Sequence, residues 1–349
     1  METPRQKQEK QEDLVGSGIF GTVVRETHSQ NDKSSSRVAK KTINLKKLNN
    51  KINQQIEEEI KKKVKNKIIE MSNIVEKNLE KCNITKYYDD ITDNNGKLSF
   101  KMELCNFNLG QYVNENCPKE GQGLDIGTIY DILVQLNNAF RIIEYRNIKL
   151  GNIKLENILV NLEQKKYIFK LSGFEIVPEL INIARMYRPD MICQYLPPEI
   201  LKADSKNIFR IDQKTDTWSL GIVIYYLFFK EFPYEGKTCE SVLEQIYNKK
   251  RKKTNFTELD NLIDGLLNEN KEQRFTWFEY LVHSFFKKNG FWKEYIIGDK
   301  IGKGQFSTVY EAKSKTNQKS AAIKIIDFSK KKNRKSSNGI ERDNKRIKK

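Results

Sequence analysis

Two stretches of this 349-residue chain carry a Gly-x-Gly opening ahead of a strand with a lysine, the third glycine of the first copy, Gly21, being Ser307 in the second. The first reads Val15-Gly16-Ser17-Gly18-Ile19-Phe20-Gly21-Thr22-Val23-Val24 and is followed by Ala39-Lys40-Lys41. The second reads Ile301-Gly302-Lys303-Gly304-Gln305-Phe306-Ser307-Thr308-Val309-Tyr310 and is followed by Ala322-Ile323-Lys324. In each copy the glycines sit between two strand-like runs, and no helix opens after them. That excludes the dinucleotide-binding βαβ unit, which shares the G-x-G-x-x-G spacing but requires a helix at that point. A hairpin free of Cβ atoms at its tip lets backbone N–H groups close over phosphates. An ordinary β-turn would give the same spacing, so the residues downstream of the glycines have to decide.

The remaining pattern describes a small β-rich part and a larger helical one. A strand at Arg37–Ile43 precedes a charged stretch with apolar residues at Ile52, Ile56, Ile60, Val64, Ile68 and Ile69, the period of a helix. Strands come next at Ile84–Tyr88 and Leu98–Leu104 across an Asp93-Asn94-Asn95-Gly96 turn, and from Leu109 the pattern is mostly helical. The run Leu220–Phe229 is about half the length of a membrane-spanning helix and reads as a buried core helix. Hydrophobic residues make up 38% and charged residues 31%, yet 18 Phe and 15 Tyr suffice for a core, which excludes global disorder. Only His28 and His283 are present, so His-pair and His-rich metal chemistry is nearly excluded. The five cysteines form no C-x-x-C pair and suit free thiols in a reducing compartment. No apolar run follows Met1, so no signal peptide is expected.

The net charge is +17, and the last 20 residues contribute ten basic and two acidic groups. A second basic run is Lys249-Lys250-Arg251-Lys252-Lys253. Solvated surface is the expectation for both, with nuclear targeting or nucleic-acid contact as the alternative.

The motifs downstream of Lys41 resemble, in order, those of the eukaryotic protein kinase family. Asn147-Ile148-Lys149-Leu150-Gly151-Asn152-Ile153-Lys154-Leu155-Glu156-Asn157-Ile158-Leu159 aligns without gaps to the catalytic loop. Leu171-Ser172-Gly173-Phe174-Glu175 falls at the magnesium-binding loop and Pro197-Pro198-Glu199 at the end of the activation segment. Asp216-Thr217-Trp218-Ser219-Leu220-Gly221 falls at the helix that supports the catalytic loop, and Arg274 where the family pairs an arginine with Glu199. The stretch 84–113 is also similar to the inositol-requiring kinase–endoribonucleases of the unfolded-protein response, although a second kinase opening comes after it in place of a nuclease.

The resemblance implies an α+β, two-lobed protein kinase-like fold over residues 14–288, with a β-rich N-lobe at 14–105 and a helical C-lobe at 106–288. A partial second kinase N-lobe with a basic tail would occupy 296–349, as in a tandem kinase cut short at Lys349. It implies an ATP site built from Gly16, Gly18, Gly21, Val23, Ala39, Lys41, Leu159 and the hinge residues Glu103 and Cys105. Glu70 is the expected helix partner of Lys41, with Glu57 to Glu59 as competitors. In the second copy the corresponding residues are Gly302, Gly304, Val309 and Lys324.

The departures fall on the chemistry. Asn152 stands where the family has its catalytic Asp, and an amide is no base near neutral pH. Lys154 is retained beside it. Leu150-Gly151 replaces the His-Arg pair, which removes the usual clamp on a phosphorylated segment. Gly173 stands where an Asp holds magnesium, leaving Asn157 as a remnant ligand unless Glu175 reaches inward. Magnesium needs hard oxygen donors and usually a carboxylate. Between Gly173 and Glu199 there is no Ser or Thr, only Tyr187 and Tyr195. The expectation is a pseudokinase that binds ATP but no magnesium in its first domain and acts through protein partners, another kinase domain among them. The alternatives are an active Ser/Thr protein kinase and a basic nucleic-acid-contacting module. No membrane span is expected, and the location is expected to be cytoplasmic, with nuclear as the alternative.

Overall fold

The computed structural model describes residues 14–28, 36–45, 53–77, 82–94, 96–203, 211–286, 295–303, 307–314 and 319–326. Gly304, the side chains of Tyr187 and Lys324, and the basic tail lie outside what is described. The chain divides into two compact units, Met1–Phe286 and Lys287–Lys349.

The first unit opens with a five-stranded antiparallel sheet in the order β1-β2-β3-β5-β4. Its strands are β1 (Leu14–Ser17), β2 (Gly21–His28), β3 (Ser36–Asn44), β4 (Tyr87–Asn94) and β5 (Lys97–Glu103). β-branched residues recur along β2 and β3, which suits a pleated, half-buried surface. Between β3 and β4 the chain forms α1 (Gln54–Lys77), which buries Ile60, Val64, Ile68, Met71 and Val75 along one stripe. Ile56 and Ile69, grouped with that stripe by spacing alone, are exposed. Lys61 ties the helix to β4, lying 3.0 Å from Glu57, 2.8 Å from Glu58 and 3.7 Å from Asp93. β4 begins later than the sequence pattern suggests. Ile84 makes only an isolated parallel bridge to Leu171, and the continuous ladder starts at Tyr87.

The second lobe is helical: α2 (Leu109–Asn116), α3 (Ile126–Arg146), α4 (Pro178–Tyr187), α5 (Pro198–Leu201), α6 (Gln213–Phe229), α7 (Cys239–Asn248), α8 (Thr257–Leu266) and α9 (Trp277–Leu281). α3 starts at Asp125, whose carboxylate accepts from the Gly127 and Thr128 amides at 2.9 and 3.0 Å. α6 is buried nearly all round, which is why Leu220–Phe229 is apolar without an amphipathic stripe. A small sheet of β6 (Phe107–Asn108), β7 (Ile158–Glu163) and β8 (Lys166–Leu171), in that order, lies against this lobe, where the sequence pattern is read as mostly helical. Its hairpin turns on Gln164 and Lys165, both at positive φ (47° and 66°).

The second unit is a three-stranded antiparallel sheet of β9 (Tyr295–Lys303), β10 (Ser307–Ser314) and β11 (Ser320–Ile326), with β10 central. Its register repeats that of the first unit. Val309 lies opposite Gly302 on one side and Lys324 on the other, as Val23 lies opposite Gly16 and Lys41.

Candidate functional site

The glycine-rich hairpin, the β3 lysine and the start of the helical lobe enclose a cavity of about 710 Å³. Gly21 is demanded by close approach, since a Cβ there would sit 1.6 Å from the Thr42 carbonyl oxygen. Gly16 and Gly18 have no atom within 4 Å of where a Cβ would be and leave the hairpin tip open. Val23, Ala39 and Leu159 line the cavity with Glu103 and Cys105, so the residues expected for adenine come together. At the hinge, the Glu103 amide donates to the Lys86 carbonyl at 2.9 Å and the Asn106 amide to the Val160 carbonyl at 3.0 Å. The Cys105 N–H between them makes no backbone hydrogen bond among the described residues. The Glu103 side chain is engaged below the hinge by Lys170 and by Asn161 at 3.0 Å. Burial pushes the Cys105 thiol up to about 12, which leaves it unreactive as a nucleophile.

Lys41 reaches into the cavity, but its partner is not Glu70. Glu70 faces out from α1, 3.7 Å from Lys67, on the side of the helix opposite the Ile60–Val64–Ile68 stripe. The face that α1 turns inward is apolar, so it offers Lys41 no carboxylate. Lys41 instead pairs with Glu175, from the chain just after β8. Glu175 is 1% exposed, and its second oxygen accepts from the Tyr87 hydroxyl at 2.9 Å. Burial alone would raise the Glu175 carboxyl, but the Lys41 ammonium outweighs it and holds the group below its ordinary value. Tyr87 completes the knot by accepting from the Gly173 and Phe174 amides at 3.2 and 3.3 Å. Glu175 therefore does reach inward, to the lysine and not to a metal position. Neither this pairing nor the part played by Tyr87 is readable from sequence. The visible signal is a lone carboxylate between Phe174 and the apolar pair Ile176-Val177.

The catalytic loop is set by Asp216 of α6, which accepts from the Leu150 amide at 2.9 Å and the Gly151 amide at 2.6 Å. Burial pushes the Asp216 carboxyl up to about 7 against the pull of those two donors. Gly151 has φ +64°, and a Cβ on it would lie 2.5 Å from Ile211 and 2.7 Å from Ile181, so no arginine fits that backbone unchanged. Asn157 donates to the Asn152 carbonyl at 2.8 Å, and Asn152 donates to the Gly173 carbonyl at 3.3 Å. Gly173 has φ +85°, and a Cβ there would sit 2.8 Å from the Asn157 amide nitrogen and 2.9 Å from that of Asn152. Lys154 lines the same cavity, and no ion pair engages it among the described residues. Burial holds its ammonium below the ordinary value, with Lys41 pushing the same way.

This donor set does not fit magnesium. The positions that would face a cation offer two amides and a glycine, and the Glu175 carboxylate is turned to Lys41. Among the described residues no group of three or more His, Cys, Asp or Glu is placed to hold a metal.

The activation segment folds into α4, whose Ile181 and Ala184 line the cavity. Glu179 in its first turn pairs with Lys63 of α1 at 2.5 Å. The segment ends at Glu199, which takes both terminal nitrogens of the fully buried Arg274 at 2.7 and 2.8 Å. Tyr195 is buried at 4% exposure, out of reach of a modifying enzyme in this arrangement. Arg251 engages Tyr234 and Asp264, Lys252 engages Glu231, and Lys253 engages Asp264, so three cations of the basic run share two carboxylates. No described helix is long and apolar enough to cross a membrane.

Comparison with known proteins agrees with this geometry. The family profile described as protein kinase domain matches residues 9–286. The chain is 25% identical over 285 residues to calcium-dependent protein kinase 5 of Plasmodium berghei, covering 78% of this chain and 45% of that protein. It is 25% identical over 225 residues to the serine/threonine-protein kinase atg1 of Dictyostelium discoideum, covering 61% and 31%. It is 29% identical over 150 residues to the serine/threonine-protein kinase nekl-2 of Caenorhabditis elegans, covering 42% and 40%. The chain thus spans less than half the length of each of these relatives. Its β-sheet lobe, its helical lobe and a family match over most of its length place it together with them: the chain belongs to the protein kinase domain family.

Proposed function

We propose that the first unit is a pseudokinase that binds a nucleotide without magnesium, transfers no phosphate and acts through contacts with other proteins. Protein kinase domains in general bind ATP with magnesium. The observation that carries the departure from that rule is the amide-filled metal position, where Asn152 and Asn157 bond to neighbouring carbonyls around a side-chain-free Gly173. Phosphoryl transfer depends on positioning and charge neutralisation, and both the metal carboxylate and the base are missing. Adenine binding is supported by the unengaged Cys105 amide and by the apolar walls Val23, Ala39 and Leu159. The phosphates would meet Lys41 and Lys154, two cations where the family has two cations and metal. In such a site Lys154 neutralises phosphate charge directly, and its lowered pKa would rise again on contact with an anion.

The names of the relatives favour an active Ser/Thr kinase as the second reading. It would require a carboxylate beside the substrate hydroxyl, and the side chain at that place is the Asn152 amide. The nucleic-acid reading is weakened by the internal pairing of the basic run. For the second unit we infer the opening of another kinase N-lobe, supported by its repeat of the Gly–Val–Lys register.

Thermal denaturation with ATP tests the proposal. A ligand confined to the folded state at 100 times its dissociation constant adds about 2.7 kcal/mol. The expected result is a rise in melting temperature that is the same in EDTA as in magnesium, with no transfer of label from ATP to protein. A rise that requires magnesium, or transfer that Lys41→Ala abolishes, would overturn it.

A further inference from the structure

Two buried thiols meet where the end of the activation segment rests on the helical lobe. Cys193 opens the tight 3-10 turn Cys193–Tyr195 near the end of that segment, and Cys239 is the first residue of α7. The turn packs against α7, and both side chains are buried, Cys193 fully and Cys239 at 8% exposure. The Cys193 thiol donates a hydrogen bond to the Cys239 sulfur, so the two sulfurs lie in contact although the residues are distant in the chain. The surroundings favour a thiolate on one of them. Cys239 sits in the first turn of a helix whose cap, the Thr238 hydroxyl, accepts from the Ser241 amide at 3.2 Å, and a helix start favours negative charge. Arg185 of α4 is buried nearby, its guanidinium held by the Ile200 and Ala203 carbonyls at 2.9 and 2.6 Å. The hydrogen bond from Cys193, helped by Arg185, holds the Cys239 thiol below its ordinary value against burial and the Glu240 carboxylate. Cys193, as the donor, keeps its proton. Burial raises the thiols of Cys105 and Cys117 instead. One sulfur ready to attack and a second within reach to resolve is the arrangement of a redox-active pair. It is not a zinc site, which takes four ligands: among the described residues no third His, Cys, Asp or Glu joins the two sulfurs.

We propose that Cys193 and Cys239 form a reversible disulfide when a hydroperoxide reaches them, locking the end of the activation segment onto α7. The Cys239 thiolate attacks one peroxide oxygen: an S–O bond forms, the O–O bond breaks, and the departing hydroxide takes up a proton and leaves as water. The Cys193 sulfur then attacks the sulfenic sulfur, forming the S–S bond and breaking the S–O bond, and the released hydroxide leaves as a second water with the Cys193 proton. The two sulfurs together lose two electrons, and the two peroxide oxygens gain them. A dithiol reverses the reaction by exchange. The lock acts on the cavity from behind. Met191, Ile192, Gln194, Tyr195 and Leu196 line the cavity, while Cys193 between them is engaged with α7. Fixing Cys193 therefore fixes that wall, whether or not a nucleotide is bound.

The test treats the full 349-residue protein, reduced and then freed of reductant, with a small molar excess of hydrogen peroxide. Two of the five thiols should be lost, and the intact mass should fall by two hydrogens. A peptide map run without reductant should join the Cys193 and Cys239 peptides, and dithiothreitol should restore both thiols. A crosslink between residues this far apart should raise the melting temperature by roughly 5–15 °C and slow amide hydrogen exchange over residues 191–196. Cys193→Ala should stop at the Cys239 sulfenic acid, which dimedone traps, and Cys239→Ala should leave Cys193 unreacted. The parent protein alone decides the pairing, so the outcome does not depend on how well the variants fold. Five intact thiols after treatment, a map that joins other cysteines, or a disulfide that forms only in urea overturns the proposal. A Cys193–Cys239 disulfide that changes neither the melting temperature nor the exchange overturns the lock on the segment.

Discussion

Truncating Arg274 to alanine should be among the most damaging single changes available in the first unit. Its guanidinium is fully buried and spends its nitrogens on four acceptors: both Glu199 oxygens at 2.7 and 2.8 Å, the Asn268 carbonyl at 3.0 Å and the Lys214 carbonyl at 3.1 Å. It also lies 4.9 Å from the centre of the Trp218 ring. Removing it leaves Glu199 without its cation and takes a donor from the Asn268 carbonyl, while the Lys214 carbonyl keeps the Thr217 hydroxyl at 3.2 Å. Breaking a buried pair costs about 3–5 kcal/mol. Glu199 is 25% exposed, so water recovers part of its loss and the lower half of that range applies to the charge. The lost hydrogen bond to the Asn268 carbonyl adds roughly 1 kcal/mol, for a total of about 4 kcal/mol. Against a typical domain stability of about 5–15 kcal/mol this is a large share. At about 2–4 °C per kcal/mol, the melting transition should fall by roughly 8–16 °C. Circular dichroism melts of the parent, Arg274→Ala, Glu199→Ala and the double variant would measure it, the cycle separating the pair from the carbonyls. A melting temperature within about 2 °C of the parent would refute the reasoning, and a double variant as unstable as the sum of the singles would refute the coupling.

Three further outcomes are expected. Gly173→Asp should fail to restore a metal site: it places a Cβ at φ +85° within 2.9 Å of two amides, should destabilise by about 1–3 kcal/mol, and should show no magnesium-dependent shift in thermal denaturation. Ala39→Trp should abolish the ATP-induced rise in melting temperature by filling the adenine space, while a retained rise would place the base elsewhere. The Glu175 carboxyl is held below the ordinary glutamate value of 4.5, so the stability it contributes is present above that value and is lost as pH falls through its folded-state value. The melting temperatures of the parent and Glu175→Gln should therefore converge on acidification below about pH 4.5, and a constant difference down to about pH 3 would contradict the pairing of Glu175 with Lys41.

The two lobes, the glycine-rich hairpin and the placement of Asn152, Asn157 and Gly173 are legible in the sequence because each rests on local pattern. Strand alternation, glycine spacing and an ungapped catalytic-loop motif are properties of short windows. The partner of Lys41 is not legible for the opposite reason. α1 holds Glu57, Glu58, Glu59 and Glu70, and sequence spacing cannot say which way a charged helix turns. The structure turns its apolar stripe inward, and the carboxylate arrives from 134 positions further along the chain. The β6–β8 sheet escapes a pattern reading because its strands are short and interrupted by the catalytic loop. α4 escapes it because a ten-residue helix after a loop motif carries little periodic signal of its own.

The substitutions in this site support one another. With an aspartate at position 173, Glu175 would place a second carboxylate beside it, and the repulsion would raise the pKa of one of them. With glycine there, a single buried carboxylate can pair with Lys41 and Tyr87. Any side chain at position 151 would be strained at φ +64°, and its Cβ would displace the terminal methyl groups of Ile211 and of Ile181 in α4. Glycine at 151 leaves space for Ile181 of α4, and Glu175 and Glu179 tie the segment to Lys41 and Lys63.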